Sequence, residues 1–414
     1  MTNKKSKIIV IGGGAAGFFA AIRLAESLPE ADVTILERGR NVLEKVRISG
    51  GGRCNVTHAC WAPTELIQHY PRGERELLSP FHRFAAGNTA EWFEQRGVKL
   101  KIEEDGRMFP TSDDSQTIVD CLWDSATAAG VKILTSVRAD ELFFDENLNC
   151  WKILSEEKIF LADKVIIATG SNPRIWEMLS NLGHTIVPPV PSLFTFNIKD
   201  ARIRDLPGIS VPEAVVKVQG TKLEATGPLL ITHWGLSGPA ILRLSAWGAR
   251  ALADLQYRFD ITVNWLHQQP EAVQAQLNDF KTEHPKKLVF VNPLFGLPQR
   301  LWRSFVAAAG IAEEKKWADV SKKEQQALVG QLCAGTFAVS GKSTFKEEFV
   351  TAGGVDLKEV NFKTFESRLF PGLYFAGEVL NIDAITGGFN FQAAWTGGWI
   401  AAEAIANQSV SEHS

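Results

Sequence analysis

The chain has 414 residues, 45% hydrophobic and 22% charged, with a formal charge of −3. That composition excludes a disordered polymer and supplies apolar material for more than one core. The Lys/Arg surplus with which a nucleic-acid binder meets phosphates is absent overall and no block of five like charges occurs, so no nucleic-acid partner is expected.

Basic residues Lys4, Lys5 and Lys7 precede the apolar run IIVIGGGAAGFFAAI, an imitation of a signal peptide. Gly12-Gly13-Gly14 would break an h-region helix and no small-residue cleavage site follows Arg23, so the run is read as folded structure. Ile8–Ile11 are predicted to form a buried parallel strand. Gly12, Gly14 and Gly17 then supply GxGxxG: a tight turn, close backbone approach to a pyrophosphate, and close helix-on-strand packing. A helix follows from about Ala15 to Leu28, with Ala16, Phe19, Ala20 and Leu24 on one stripe and its N-terminus toward the phosphates. The next strand, Val33–Leu36, ends in Glu37, twenty residues beyond Gly17, where a carboxylate accepts from ribose hydroxyls. The ligand read from this unit is a dinucleotide, FAD or NAD. Arg38 is open to two readings, a 2′-phosphate contact or a solvated side chain.

SGGGRCNVTH, Ser49–His58, is the next feature. Gly50–Gly52 permit close backbone approach, and Arg53 and Asn55 read as polar contacts to a cofactor. Cys54 has no partner at CxxC spacing and reads as a packed thiol rather than a redox centre. Cys54, His58 and Cys60 match no zinc spacing, and no metal is expected. Five scattered cysteines suit a reduced, cytoplasmic protein, and no apolar run approaches the length of a membrane span.

VIIATGSNPR (Val165–Arg174) reads as another buried strand, ending in Ala168-Thr169-Gly170. VPPVP (Val187–Pro191) is stiff, extended and boundary-like. Beyond it, LFTFNI, AVVKV and GPLLITH suggest a small barrel or sandwich. In THWGLSGPA, Ser237 reads as an N-cap with Pro239 in the first helical turn. The segment is not GxSxG, so a serine hydrolase is rejected. His233 is the one candidate for acid–base work. PEAVQAQLNDFKTEH, LPQRLWRSFVAAAG and SKKEQQALVGQLCAG carry helical periodicity, and the strand-like EEFVTAGGV leads back to the first domain. Near the C-terminus, Tyr374–Ala376 read as a strand, Gly377 as a turn followed by Glu378, and Thr386-Gly387-Gly388 as the opening of a helix to about Asn407. That N-terminus suits the negative charge of a reduced flavin near N1 and C2=O. Trp395 and Trp399, one turn apart, read as packing. Only one GxGxxG occurs, which argues for extended FAD in one discontinuous domain, with NADH or NADPH as a transient donor.

GGGAAG with Glu37, SGGGRCNVTH, GRMFP (Gly106–Pro110), ATG, THWGLSGPA, TAGGV (Thr351–Val355) and FAGEVLNIDAITGGFNFQ occur in that order. The chain thereby resembles the bacterial BaiN-like, aminoacetone-oxidase-like NAD(P)/FAD-dependent oxidoreductases over nearly its whole length. The resemblance implies an α/β fold: a Rossmann-like FAD-binding domain of the glutathione reductase type, interrupted by an insert. The expected parts are 1–190 and 345–414 for FAD, and 191–344 for the insert, β-barrel-like over 191–260 and mostly helical over 261–344. It also implies an Arg-Cys-Asn loop lying along FAD, and chemistry linked to aminoacetone oxidation or steroid-type enone reduction. On the motifs and the resemblance together, FAD is expected at Gly12, Gly14, Ala15, Ala16, Gly17, Glu37 and Arg38, at Gly52, Arg53, Cys54 and Asn55, and at Val137. Ala168, Thr169 and Gly170 join them, as do Gly377, Glu378, Gly387, Gly388, Phe389, Asn390 and Gln392. The chain departs from the family where Asn381 replaces a common Asp, Phe389 a common Tyr and His58 a common Asn. The function expected is an FAD-dependent oxidoreductase moving a hydride between flavin N5 and a small organic substrate. The alternatives are an RNA-modifying flavoprotein and a flavin-bound regulatory protein without turnover.

Overall fold

The computed structural model describes residues 5–411, apart from 157 and 344–349. The expected boundary at 344/345 and the start of EEFVTAGGV lie outside the described residues. The chain divides into two compact units, one formed by residues up to 190 and from 350, the other by 191–349.

The first unit is built on a seven-stranded sheet. Strand Lys7–Ile11 lies between Asp32–Leu36 and Lys164–Ile167, all parallel. Lys132–Leu134 and Leu373–Phe375 extend the parallel order on either side. Two short antiparallel strands, Glu366–Ser367 and Val360–Asn361, finish one edge. Ile8, Val10, Ile35, Val165, Ile166 and Ile167 are at most 0% exposed, which explains why these strands are runs of apolar residues rather than alternations.

Helix Ala15–Ser27 packs against the C-terminal helix Phe389–Ser411. Small residues allow the approach: a Cβ on Gly398 would lie 2.6 Å from the Ala16 carbonyl oxygen. Around this seam Phe19 meets Trp395 at 5.2 Å and Trp92 at 4.5 Å, and Phe84 stacks on Trp399 at 4.8 Å. Trp395 Nε1 donates to the Val56 carbonyl at 3.0 Å. Both C-terminal tryptophans are therefore packing residues, as their one-turn spacing predicts.

A buried histidine pins the far edge of the sheet. His184 Nδ1 lies 2.9 Å from Glu359 Oε2, and its Nε2 lies 3.2 Å from Ser367 Oγ. The order Ser–His–Glu resembles a hydrolase triad. However, Ser367 Oγ already accepts from the N–H groups of Leu369 (3.1 Å) and Phe370 (3.0 Å) and is 6% exposed. It is a turn-forming hydroxyl that donates to a neutral imidazole.

The second unit contains a closed six-stranded barrel, in the order Thr195–Ile198, Gly235–Ser237, Glu224–Ile231, Ser210–Val218, Phe259–Asn264 and Gly335–Ser343. Nearly all of the last two strands falls in the stretch expected to be helical. Their ladder, Phe259↔Val339 to Val263↔Gly335, joins distant residues and leaves no local signature. Helices Pro270–Glu283, Gln299–Ala308 and Lys322–Ala334 accompany the barrel, sharing a core that includes Val216, Ile261, Trp265, Trp302 and Phe337. A capping box starts the last helix: Glu324 N donates to Ser321 Oγ at 3.2 Å and Ser321 N donates to Glu324 Oε2 at 2.8 Å. Helix Pro239–Trp247 is capped by Gly238 rather than by the predicted Ser237. Ser237 ends a barrel strand and accepts from Thr195 Oγ1 at 3.0 Å, while Gly238 takes φ 92°.

Two outcomes follow. Gly398→Ala should destabilise the chain by about 1–3 kcal/mol in urea unfolding, because overpacking at the helix seam outweighs the gain in helix propensity. Burial holds the His184 imidazole below its ordinary value even though Glu359 opposes the shift. The neutral ring's contribution is therefore present above the unfolded value of roughly 6.5 and is lost as pH falls below it. The unfolding midpoint should drop from pH 7 to pH 5, and drop less in His184→Gln.

Candidate functional site

The turn after strand Lys7–Ile11 closes because two glycines lack side chains. Gly12 takes φ 112°, and a Cβ there would lie 2.5 Å from the Ala168 carbonyl oxygen. A Cβ on Gly17 would overlap the Gly12 carbonyl oxygen. By contrast, nothing lies within 4 Å of the place a Gly14 Cβ would take, so open space faces the start of helix Ala15–Ser27. The first bond into this helix is Phe18 N to Gly14 O at 3.0 Å, which leaves the N–H groups of Ala15 and Ala16 without an intrahelical acceptor.

Glu37 closes the turn from the neighbouring strand. Its Oε2 accepts from Gly13 N at 2.8 Å and its Oε1 from Gly39 N at 2.6 Å. Val137 N donates to the Glu37 carbonyl at 2.9 Å, drawing the chain after Lys132–Leu134 to the same point. A small open cleft lies here, lined by Gly12, Glu37, Arg38, Val137 and Thr169 among the predicted residues. Arg138, Ala139, Asn172, Arg174 and Ile175 also line it and were not anticipated. Asn172 had a local signal: it precedes Pro173, and its side chain caps the next helix by accepting from Arg174 N at 3.1 Å. Arg138 and Arg174 have no signal beyond adjacency. Thr169 Oγ1 is buried without a hydrogen-bond partner, and Gly170 takes φ 64°.

A second group gathers at the start of the C-terminal helix. The Asn55 amide, with its oxygen toward the helix, accepts from Gly388 N at 2.9 Å and donates to the Thr57 carbonyl at 2.9 Å. Gly388 takes φ 90°, and a Cβ there would meet Thr57 at 2.7 Å. Gly377 lies between the two helices: a Cβ on it would come within 3.2 Å of Ala16 Cβ and 3.8 Å of Ala394 Cβ on the C-terminal helix. Glu378 pairs with Lys45 at 2.6 Å. The rings of Phe389, His58 and His69 cluster, with Phe389 4.7 Å from His58 and 4.1 Å from His69 and the two histidines 5.9 Å apart, and the Phe389 carbonyl accepts from Tyr70 Oη at 2.6 Å. Arg72 and the fully buried Asp383 form an ion pair that fastens the preceding loop. Asn381 Oδ1 is buried without a hydrogen-bond partner.

Six of the predicted site residues have surroundings set by the protein itself. The Arg53 guanidinium is held by Glu103 at 2.6 Å and Asp113 at 3.4 Å, and it lies 4.0 Å over the Phe109 ring. Its charge organises the hairpin Leu100–Pro110 instead of standing free for a cofactor. Gln392 is fully buried, and its Oε1 accepts from Thr57 Oγ1 (2.6 Å) and Thr89 Oγ1 (2.9 Å). Asn390 is closed onto Ala384, whose N–H it accepts at 2.9 Å. His233 lies in the second unit, exposed in the turn between Glu224–Ile231 and Gly235–Ser237. The Gly52 carbonyl accepts from Ser115 N at 2.8 Å. Cys54 is fully buried, with φ 58°, and burial pushes its thiol up to about 12.

The residues fit an extended dinucleotide. An open cradle faces one helix start, a carboxylate and an unpartnered hydroxyl line the adjoining cleft, and a second helix start lies beyond Gly377. Among the described residues no cluster could hold a metal and no helix is long and apolar enough to cross a membrane.

Comparison with known proteins agrees with this arrangement. The model of the HI0933-like protein Rossmann domain matches residues 6–404. The chain is 30% identical over 425 residues to a 3-dehydro-bile acid delta(4,6)-reductase of Clostridium scindens, covering 97% of this chain and 100% of that protein. It is 28% identical over 424 residues to a ribosomal RNA dihydrouridine synthase of Haemophilus influenzae, covering 97% and 99%. Among solved structures, 3-ketosteroid delta1-dehydrogenase from Sterolibacterium denitrificans shares the fold at 11% identity, with a TM-score of 0.52 over 98% of this chain and 100% of that one.

Two tests address the site. At pH 8 a thiol with a pKa near 12 is ionised in only about one molecule in ten thousand, so native Cys54 should resist iodoacetamide and react only after unfolding. Glu37→Gln keeps the side chain's shape but removes its charge. It should weaken dinucleotide binding by about tenfold in a fluorescence titration, with the fold retained.

Proposed function

We propose, for a chain that belongs to the HI0933-like Rossmann family, that it is an FAD-dependent oxidoreductase acting on a carbon–carbon double bond conjugated to a carbonyl. The observation that carries this reading is the meeting, within one unit, of the Gly12–Gly17 turn and the Asn55–Gly388 contact across Gly377 and Ala16. Bound FAD would supply hydride transfer at N5. The chain's part is to hold and orient it. Glu37, already steered by two backbone N–H groups, keeps lone pairs for ribose hydroxyls. The start of helix Ala15–Ser27 offers N–H groups and a positive dipole end to the pyrophosphate. The start of helix Phe389–Ser411 does the same for negative charge on the reduced ring, and Asn55 and Gly388 define its edge.

The names of two relatives support the double-bond chemistry. One makes dihydrouridine in ribosomal RNA, and the other reduces the delta(4,6) bonds of a 3-dehydro bile acid. Uracil and an unsaturated ketone both present an alkene conjugated to a carbonyl, and hydride addition to either has the same electronic demand. NADH or NADPH is the proposed donor. The five free cysteines suit a reducing, cytoplasmic setting.

Ribosomal RNA is the second reading for the substrate. The first relative's name favours it, and so does charge distribution: residues 191–349 carry 19 Lys and Arg against 15 Asp and Glu in a chain that is negative overall.

The test is anaerobic. Purified protein should show a flavin spectrum, bleach with NADPH or NADH, and recover on adding a conjugated enone. Recovery with uridine-containing ribosomal RNA, and dihydrouridine in its hydrolysate, would select the second substrate. A colourless protein that takes up no FAD would remove both readings.

A further inference from the structure

The cleft beside Glu37 has a second polar wall. Strand Lys7–Ile11 runs between two parallel neighbours, so the residues that follow Leu36 and Ile167 flank its end from opposite sides. Glu37 stands on one flank, Thr169 and Asn172 on the other, and Ile11, Leu36 and Ile175 give the cleft apolar surface. Each flank also brings an arginine to the lining, Arg38 and Arg174, neither with an ion-pair partner among the described residues. Apolar surface and free guanidinium planes suit the faces of an aromatic ring.

Asn172 is held at both ends of its own residue. Its backbone N–H donates to the Gly170 carbonyl at 2.9 Å, and its Oδ1 accepts from Arg174 N at 3.1 Å as the cap of helix Pro173–Leu182. The cap bond settles the amide's orientation, because only the oxygen can accept from a backbone N–H. Nδ2, with two hydrogens to donate, therefore lies on the other side of the amide. It has no acceptor among the described residues, although Asn172 is only 9% exposed, and it is not sealed from solvent as Thr169 Oγ1 is. A nearly buried donor that is oriented, unpartnered and open to a cleft marks a place where a ligand supplies the acceptor.

We propose that Asn172 Nδ2 donates a hydrogen bond to N1 of the FAD adenine and so selects the base that the cleft takes. The inference rests on the FAD reading of this unit. Glu37 holds the ribose on one flank, so the edge of the base remote from the ribose is the one that faces the Asn172 flank. In adenine that edge carries N1, which accepts. The residue binds the base and takes no part in hydride transfer.

The test pairs a protein change with a ligand change. Full-length protein, stripped of flavin, is titrated with ADP and with 1-deaza-ADP, in which a C–H replaces N1. The wild type should bind ADP about tenfold more tightly than the deaza form. Asn172→Asp keeps an equally good helix cap but turns the donor into an acceptor. Its ADP affinity should fall about tenfold, and its preference for ADP should shrink to about twofold or less. Asn172→Ser also caps but is too short to reach the base, and should lose the preference in the same way. Urea unfolding of both variants should match the wild type, which separates base recognition from capping. A preference that is equal in the wild type and both variants, or absent from the wild type, overturns the inference and leaves the FAD reading intact so long as the wild type takes up FAD. Failure of the wild type to bind FAD at all overturns the reading beneath it.

Discussion

The first unit depends on close backbone approach around the start of helix Ala15–Ser27. Gly17 brings the helix against the Gly12 carbonyl, Gly377 brings the last parallel strand's turn to Ala16, and Gly398 brings the C-terminal helix to the Ala16 carbonyl. A side chain at Gly377 or Gly398 would push apart elements that come from opposite ends of the sequence, and one at Gly17 would part the helix from its own turn. The consequence is electrostatic as well as steric. Two helix N-termini, each with N–H groups that no intrahelical carbonyl satisfies, belong to one continuous packing unit. Such an arrangement suits an elongated ligand with negative charge at its middle and at one end.

The polar residues around this frame divide into those whose polar atoms are satisfied within the protein and those with a polar atom left without a partner. Arg53, Gln392, Asn390 and the Arg72–Asp383 pair belong to the first class, with their polar atoms consumed by protein partners. Thr169 Oγ1, Asn381 Oδ1 and His58 Nδ1 belong to the second, buried yet unpartnered. Buried polar atoms without partners are uncommon in folded proteins. Thr169 lines the Glu37 cleft, and His58 adjoins the Asn55–Gly388 contact. Cys54 stands between the classes and does neither job: burial suppresses its thiolate, so the residue that first attracts attention in SGGGRCNVTH is an apolar filler.

What could be read from sequence was local. The strand–turn–helix of residues 7–27, the acid at strand end and the C-terminal helix are each coded by spacings under about two dozen residues, and periodicity and glycine placement reveal them. The barrel was only half legible because it closes by pairing Thr195–Ser343 and Phe259–Val339, contacts that no local pattern announces. Arg53 was assigned to a ligand because its partners Glu103 and Asp113 lie some fifty and sixty residues away. Gln392 likewise spends its side-chain acceptor on Thr57 and Thr89, both some three hundred residues away. A polar residue beside a glycine-rich turn looks available until the fold shows what has already claimed it.

The central claim is that one extended FAD bridges the two helix starts of the first unit. A crystal structure of the full-length protein with FAD tests it most directly. The account predicts the adenosine in the cleft of Gly12, Glu37, Val137 and Thr169, the pyrophosphate at the start of helix Ala15–Ser27, and the flavin ring beside Asn55, His58 and Gly388. FAD bound elsewhere, or bound with its adenosine outside that cleft, would contradict it.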